Sequence, residues 1–338
     1  MTTKRRPTQA DVAQRAEVSQ ALVSYVINNN VTVSIPEVTR QRILDAMEEL
    51  GYVPNVTARR LRSSKTYAIA GVIPDITNPF YPAFERGIQD ACDAQGYDLL
   101  IYNTDGTPER ERRCLESLRQ GRVDGVVGVF FHLRATDLKA FLDQQIHVVR
   151  LEAVPKPPGE LPIDNICIDN ISASRTAVEY LIGKGHRRIA ILTSHEGPAR
   201  FREMGYRDAL EANHIARNDD LTSSGAYSED GGYEAMRSLL RRAPHPTAVF
   251  ATNDLMAMGA MMAIREVGLS VPDDIAVMGF DDIPTAKLVY PALTTVAQFQ
   301  RDLGRRAAEM LFERLSGAAP PTGRSQQMPY ELVFRQSA

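Results

Sequence analysis

The sequence predicts an α/β protein with an N-terminal all-α helix-turn-helix head, followed by a body of two doubly wound parallel-sheet subdomains. Three observations predict it. Residues 8–28 hold two short capped helical stretches separated by only four residues, Ala16 to Ser19. From Tyr67 onward, short apolar runs alternate with amphipathic stretches, the pattern of repeated β-α units. The proline-rich segment from Val154 to Pro162 divides that alternation into two series of similar plan. A chain of 338 residues is also too long for one ordinary core.

In the head, Thr8 and Asp11 have the spacing of a capping box, and Val12, Ala13 and Ala16 fall at helical spacing. A second helix starts at Ser19, and so tight a turn between helices is that of a helix-turn-helix, whose second helix fits the major groove of DNA. A third helix is expected from about Pro36 to Leu50, with Ser34 and Glu37 as its capping box and Gly51 ending it in the left-handed conformation. Pro54-Asn55 opens a stretch to Arg62 that has good helix formers and little apolar content. Ser63 to Thr66 reads as a linker.

In the body, the expected strands are Ala68–Ile73, Asp98–Tyr102, Gly125–Phe130 and Val148–Leu151, with helices over Phe84–Gln95, Pro108–Gln120 and Thr136–Asp143. After the proline-rich break come strands near Ile166–Ile168, at Ile189–Thr193, Ala248–Ala251 and Ile275–Gly279. Helices are expected at Ile171–Lys184, Arg200–Ala212, Gly231–Arg242 and Asp254–Val267. Thr294–Ala297 and a helix over Arg301–Leu315 would return to the first lobe. The expected domains are thus 1–54, a hinge and linker at 55–66, and a body at 67–338. Its first lobe would hold about 67–160 and 292–323, and its second 161–291 and 324–338. Open α/β sheets bind ligands beyond the carboxyl ends of their strands, so a cleft between the lobes is the expected ligand site.

Charge is unevenly spread. Residues 1–66 carry a net charge of +4 and the remainder −7, so the total of −3 hides a basic head on an acidic body. That asymmetry suits a head that neutralises phosphates. No run approaches the length of a membrane span, and the N-terminal Lys-Arg-Arg is followed by no apolar stretch of a secretion signal. The three cysteines, Cys92, Cys114 and Cys167, are scattered and read as small buried groups in a reducing cytoplasm. No cofactor or metal is implied: there is no phosphate-binding or dinucleotide-binding glycine loop, no G-x-S-x-G, no H-E-x-x-H and no paired histidine spacing. An α/β enzyme with a helical N-terminus is therefore the weaker reading, beside that of a DNA-binding regulator with a ligand-sensing body.

The head resembles that of the lactose-repressor/galactose-repressor (LacI/GalR) family of bacterial transcription regulators. The family pattern D-V-A-x-x-A-x-V-S-x-x-x-V-S-x-V-x-N is filled by Asp11, Val12, Ala13, Ala16, Val18, Ser19, Val23, Ser24, Val26 and Asn28. The following G-Y-x-P-N-x-x-A-x-x-L is met by Gly51, Tyr52, Pro54, Asn55, Ala58 and Leu61. The likeness runs through nearly the whole chain. It implies a periplasmic-binding-protein-like clamshell body, a homodimer on a near-palindromic double-stranded DNA operator, and control by a small effector.

In the second helix, Gln20 can pair with adenine, and Ala21 or Leu22 can touch a thymine methyl group. Ser19 and Ser24 suit phosphates, or serve as cap and core edge. Tyr25 stands where the family commonly has arginine and cannot pair bidentately, which leaves the half-site open to differ. The resemblance gives Asn28 and Asn55 to the DNA-binding set. It makes Ala58 and Leu61 hinge residues, Leu61 wedging into the minor groove or else packing on the body. Arg59 reads as a phosphate contact.

For the effector, the resemblance points to Asp75, Phe80 and Tyr81 in the loop after the first strand, the two aromatics serving either the ligand or the lobe core. It adds Glu152, where the family often has aspartate. In the second lobe it points to Arg202, Tyr227, Asn253 and Asp281, with Gln298 near the cleft and Asp254 expected to cap its helix. Acceptors on both sides, one arginine and two aromatics suit a carbohydrate. A purine, an organic acid or control by a protein corepressor stays open. The chain ends without a leucine heptad, which argues against a tetramer clamped by C-terminal helices.

Overall fold

The computed structural model describes residues 5–27, 33–53 and 65–338. The chain forms two compact units, Met1–Lys65 and Thr66–Ala338.

The head unit contains α1 (Gln9–Arg15), α2 (Gln20–Ile27) and α3 (Glu37–Leu50). Thr8 and Asp11 form the expected capping box: the Thr8 hydroxyl accepts from the Asp11 N–H, and Asp11 Oδ2 accepts from the Thr8 N–H at 2.7 Å. Ser19 Oγ caps α2 by accepting from the Leu22 N–H at 3.2 Å. Val12, Ala16, Val23, Val26 and Ile43 turn inward at helical spacing, and Tyr52, just past α3, closes the small core with them. The start of α3 differs from expectation. Pro36 itself occupies the cap position and no side chain caps the helix, because Ser34 lies too far upstream to reach its first turn. Gly51 ends α3 at φ 63°, the left-handed geometry that glycine adopts without steric cost.

The body opens with β1 (Ala68–Ile73), α4 (Phe80–Gln95), β2 (Asp98–Asn103), α5 (Pro108–Leu118), β3 (Gly125–Val129), α6 (Ala135–Leu142), β4 (His147–Glu152) and β5 (Ile163–Cys167). It continues with α7 (Asn170–Gly183), β6 (Ile189–Thr193), α8 (Ala199–Ala212), β7 (Thr222–Ser224), α9 (Glu229–Leu240), β8 (Ala248–Ala251), α10 (Asp254–Glu266) and β9 (Ala276–Met278). It closes with β10 (Thr295–Ala297), α11 (Gln300–Leu315), β11 (Ser325–Gln327) and β12 (Glu331–Val333).

The first-lobe sheet has the order β11-β5-β4-β3-β1-β2, all pairs parallel. The two-residue period of a strand divides its side chains between two cores. Ile69, Ile73 and Val149 pack with Phe84, Ile88, Leu303 and Leu311 on one face. Ala70, Val72 and Val148 pack with Leu138 and Phe141 on the other. Helices α4 and α11 approach backbone to backbone: a Cβ on Gly87 would lie 1.9 Å from the Arg301 carbonyl oxygen, and one on Gly304 1.9 Å from that of Phe84. Asp164, fully buried on β5, is clasped by Arg314 at 2.5 Å and Arg324 at 2.7 Å, which ties β5 to α11 and to the start of β11.

The second-lobe sheet has the order β7-β6-β8-β9, again parallel, with one core on each face. Strands β10 and β12 pair antiparallel, and the bridges Met278↔Thr294 and Asp281↔Ala297 attach β10 to this lobe.

The lobe borders therefore depart from expectation. The strand expected to open the second lobe is β5, paired with β4 from Val148↔Ile163 to Glu152↔Cys167. The proline-rich segment is thus a loop within the first lobe, and the border follows Cys167. β11 also belongs to the first sheet, and β10 stays with the second lobe until α11 carries the chain back. Helix α4 begins at Phe80, four residues ahead of expectation, because Pro79 starts a helix without needing its missing N–H.

Candidate ligand cleft and DNA-reading face

The strands of both lobes end at a cavity of about 1040 Å³. Asn78, Phe80 and Tyr81 from the β1–α4 junction line it, with Phe131 and Leu133 after β3 and Glu152 at the end of β4. From the second lobe and its return strand come Arg202, Tyr227, Asn253, Asp281 and Gln298.

Arg202 sits in the first turns of α8, buried, with its guanidinium 3.8 Å from the centre of the Phe280 ring. Its Nε donates to Asn170 Oδ1 at 2.7 Å, and its Nη1 donates to the Thr252 carbonyl and lies 3.3 Å from Asp281 Oδ1. Asp281 follows β9 with φ 122°, a strained backbone of the kind stored at functional sites. Its Oδ1 also accepts from Gln298 Nε2 at 2.6 Å. Burial pushes the Asp281 carboxyl above its usual range, against the pull of Arg202 and Gln298.

Asn253 does two things. Its Oδ1 caps α10 by accepting from the Met256 N–H at 2.8 Å, and its Nδ2 is buried at the cavity without a hydrogen-bond partner. Asp254, expected as the cap, is not one. It lies one residue too far into the helix and accepts instead from the Ile283 N–H at 2.8 Å and from the Thr295 hydroxyl. Burial first, and the nearby Asp281 carboxylate second, push the Asp254 carboxyl upward.

On the first-lobe side, Phe80 packs in the lobe core and also lines the cavity. Tyr81 meets its ring edge-on at 5.1 Å, and burial with the nearby Asp281 carboxylate holds the Tyr81 phenol far above its usual range. Burial likewise pushes the Tyr227 phenol up to about 12. Glu152 pairs with Arg150 at 2.9 Å and Lys156 at 2.6 Å. Asp75 is a correction. It does not line the cavity, because its Oδ1 is engaged by the Thr77 N–H and hydroxyl at 2.8 and 2.7 Å, closing the turn that brings Asn78 to the wall instead.

Sequence reasoning also missed Asn170, Arg150 and Glu111. Asn170 opens a helix shortly after a strand, one residue past its N-cap Asp169, whereas Asn253 is itself the N-cap of its helix. Nothing in the sequence marks Glu111. It is fully buried on α5, and its carboxylate accepts from the N–H groups of Phe131, His132 and Leu133 at 2.7, 3.0 and 3.0 Å, which fixes the loop that enters the cavity. That loop places the Phe131 ring against Gly106 of its own lobe and Gly197 of the other.

In the head, Val23 and Val26 face inward while Ser19, Gln20, Ala21 and Tyr25 are exposed, with Leu22 and Ser24 half-buried between them. One polar face of α2 is thus presented to solvent. Asn28, Asn55, Ala58, Arg59 and Leu61 lie outside the described residues.

Comparison with known proteins accords with this architecture. Residues 8–55 match the bacterial regulatory proteins of the lacI family, and residues 178–338 match the periplasmic binding protein-like domain. The chain is 37% identical to the ribose operon repressor of Escherichia coli (strain K12) over 333 residues, 98% of this chain and 99% of that protein. Among solved structures, a lac repressor dimer bound to operator and the anti-inducer ONPF is similar at a TM-score of 0.87 and 28% identity, covering 98% of this chain and 99% of that one. A complex of the transcriptional regulator CelR with cellobiose is similar at a TM-score of 0.73 and 32% identity, covering 98% of this chain and 100% of that one. A helix-turn-helix head joined to a two-lobed α/β body, with relatives matched end to end, establishes that the chain belongs to the lacI family of bacterial regulatory proteins.

Proposed function

We propose that this chain is a sequence-specific DNA-binding transcriptional repressor, not an enzyme, that acts in the cytoplasm as a homodimer and whose operator affinity is set by a sugar held between its lobes. One observation carries the sugar reading: the buried, unpartnered Nδ2 of Asn253 opens on the cavity beside the Arg202–Asp281 pair. A donor, a cation and a carboxylate within one wall can satisfy adjacent hydroxyls, each of which both donates and accepts. Phe80 and Tyr81 offer faces to apolar C–H groups. The names of the relatives support the same class, since they include a ribose operon repressor and a cellobiose complex.

A ligand that touches both lobes favours the arrangement in which both reach it. Its effect on operator affinity must equal the operator's effect on ligand affinity, a coupling of about 1–3 kcal/mol. A two-fold dimer reads a near-palindromic site. Among the described residues no helix is long and apolar enough to cross a membrane.

Thermal-shift screening of the whole protein against sugars, nucleobases and organic acids tests the ligand class. A ligand at ~100 times its Kd stabilises by ~2.7 kcal/mol. A shift by a sugar, with a matching change in operator binding in gel-shift assays, is the expected result. A shift produced only by nucleobases or acids defeats the sugar reading, and equal binding to every DNA sequence defeats the operator reading.

A further inference from the structure

The cavity is larger than one sugar needs. Its volume of about 1040 Å³ stands at the top of the range of roughly 300–1,000 Å³ for sites of drug-sized ligands. It also reaches both faces of the first-lobe sheet. Phe80 and Ile168 on its wall belong to one core, and Leu133, Leu161 and Ile163 belong to the core on the opposite face. Side chains alternate between faces along a strand, so a pocket lined by both extends over the ends of the strands.

The polar groups fall into two sets. Arg202, Asn253, Asp281 and Gln298 form the second-lobe set. The other set lies on β4, where Arg150 and Glu152 share the face of Val148. Arg150 Nη2 donates to the Leu133 carbonyl at 3.2 Å, and Lys156 reaches Glu152 from the proline-rich loop. Glu152 Oε1 lies 2.9 Å from Arg150 Nη1, while Arg150 Nε is buried without a hydrogen-bond partner. Arg150 is only 8% exposed. An unsatisfied buried donor costs stability, and that cost is relieved by a group that can accept from it.

We propose that this annex, roofed by residues 154–162, is a second sugar subsite, and that the effector is a neutral sugar of two joined units rather than one. The inference rests on the sugar reading above. One unit lies against Arg202, Asn253 and Asp281, and the other places a hydroxyl oxygen to accept from Arg150 Nε.

Calorimetric titration of the full chain with glucose, galactose and xylose, and with cellobiose, maltose, lactose and xylobiose, tests it. At least one disaccharide should bind about tenfold or more tighter than its component monosaccharides, a difference of ~1.4 kcal/mol. Leu161→Trp, which fills the annex without altering its polar pair, should abolish that ratio, and Glu152→Gln should reduce it. A monosaccharide that binds as tightly as every disaccharide overturns the annex and leaves the sugar reading standing. A disaccharide preference that survives Leu161→Trp also overturns it. If no sugar of either size binds, the annex and the sugar reading fall together.

Discussion

Arg202 and Asp281 meet at 3.3 Å in the second-lobe wall, each at most 6% exposed and each brought there by a different element. Taking two charges out of water costs more than a single contact returns, so such a pair is poor evidence of stability. It is better evidence of a site, since Asp281 is also held at φ 122°.

Arg202→Ala removes the partner of Asp281, of Asn170 and of the Thr252 carbonyl together. It should destabilise the body by about 3–5 kcal/mol, the cost of an uncompensated buried charge, seen as a lower urea midpoint. Arg202→Lys keeps the charge and loses the fork. It should keep operator binding in the absence of effector and lose the effector's influence on that binding in gel-shift assays. An unchanged response in the lysine variant would remove Arg202 from the site.

Glu85, 4% exposed on α4, fills the space left by the missing side chain of Gly71, and its carboxylate oxygens have no hydrogen-bond partner. Burial pushes its carboxyl from 4.5 up to about 8. The folded state holds this proton more tightly than the unfolded chain, so the contribution is fully present below pH 4.5 and is lost as pH rises through about 8. Each pH unit between those limits costs about 1.4 kcal/mol at most. The stability difference between Glu85→Gln and wild type, measured by urea unfolding from pH 5 to 9, should move in favour of the variant up to about pH 8 and then level off. A difference that does not change with pH would show that Glu85 does not titrate in this window.

Glu111→Ala strands the three N–H groups of Phe131, His132 and Leu133. An unsatisfied buried group costs ~1–3 kcal/mol, and since His132 is exposed a loss of about 3 kcal/mol in total is expected. The loop also positions the carbonyl that holds Arg150, so ligand affinity should fall further than in a remote variant of equal stability. Calorimetry on Glu111→Ala beside such a control separates the two effects.

Gln20→Ala should cost about 1–3 kcal/mol at one base position and relax the preference there. Binding to a library of half-site variants reads this out. An even loss across all sequences would make Gln20 a phosphate contact.

Gly304→Ala sets a methyl group against the Phe84 carbonyl at 1.9 Å, which backbone cannot yield without moving α4 from α11. A loss of about 1–3 kcal/mol is expected for such overpacking. Because Phe80 opens α4, ligand affinity should fall with it. Thermal unfolding and calorimetry of the variant check both.

The sequence made the repeating units legible because their signal is local. Strands Ala68–Ile73, Ile189–Thr193 and Ala248–Ala251 lie where apolar period and flanking breakers put them. Which sheet a strand joins is not local, and β5 shows it: Ile163 and Ile166 suit either lobe, and only pairing with β4 assigns them. The three-residue strands β7 and β11 carry too few side chains to show a period. In the cleft, the family resemblance points to Arg202, Asn253 and Asp281, which stand at strand-to-helix junctions. Asp75 stands at one too, yet its carboxylate was spent on its own turn, a hydrogen bond that spacing cannot reveal. The exchange of roles between Asn253 and Asp254 turns on one residue of helix start, the least legible part of any helix.

The Phe131 ring bears on two glycines, Gly106 at φ 62° and Gly197 at φ 56°, one from each lobe, and a Cβ at Gly197 would come within 2.8 Å of it. A flat ring on bare backbone has no ridge to seat in a groove. It resists separation weakly and sliding hardly at all, so the mouth of the cleft is built as a plain bearing rather than a clasp. Any side chain at position 197 would press on the Phe131 ring and oblige it to shift, and would strain a backbone at φ 56°.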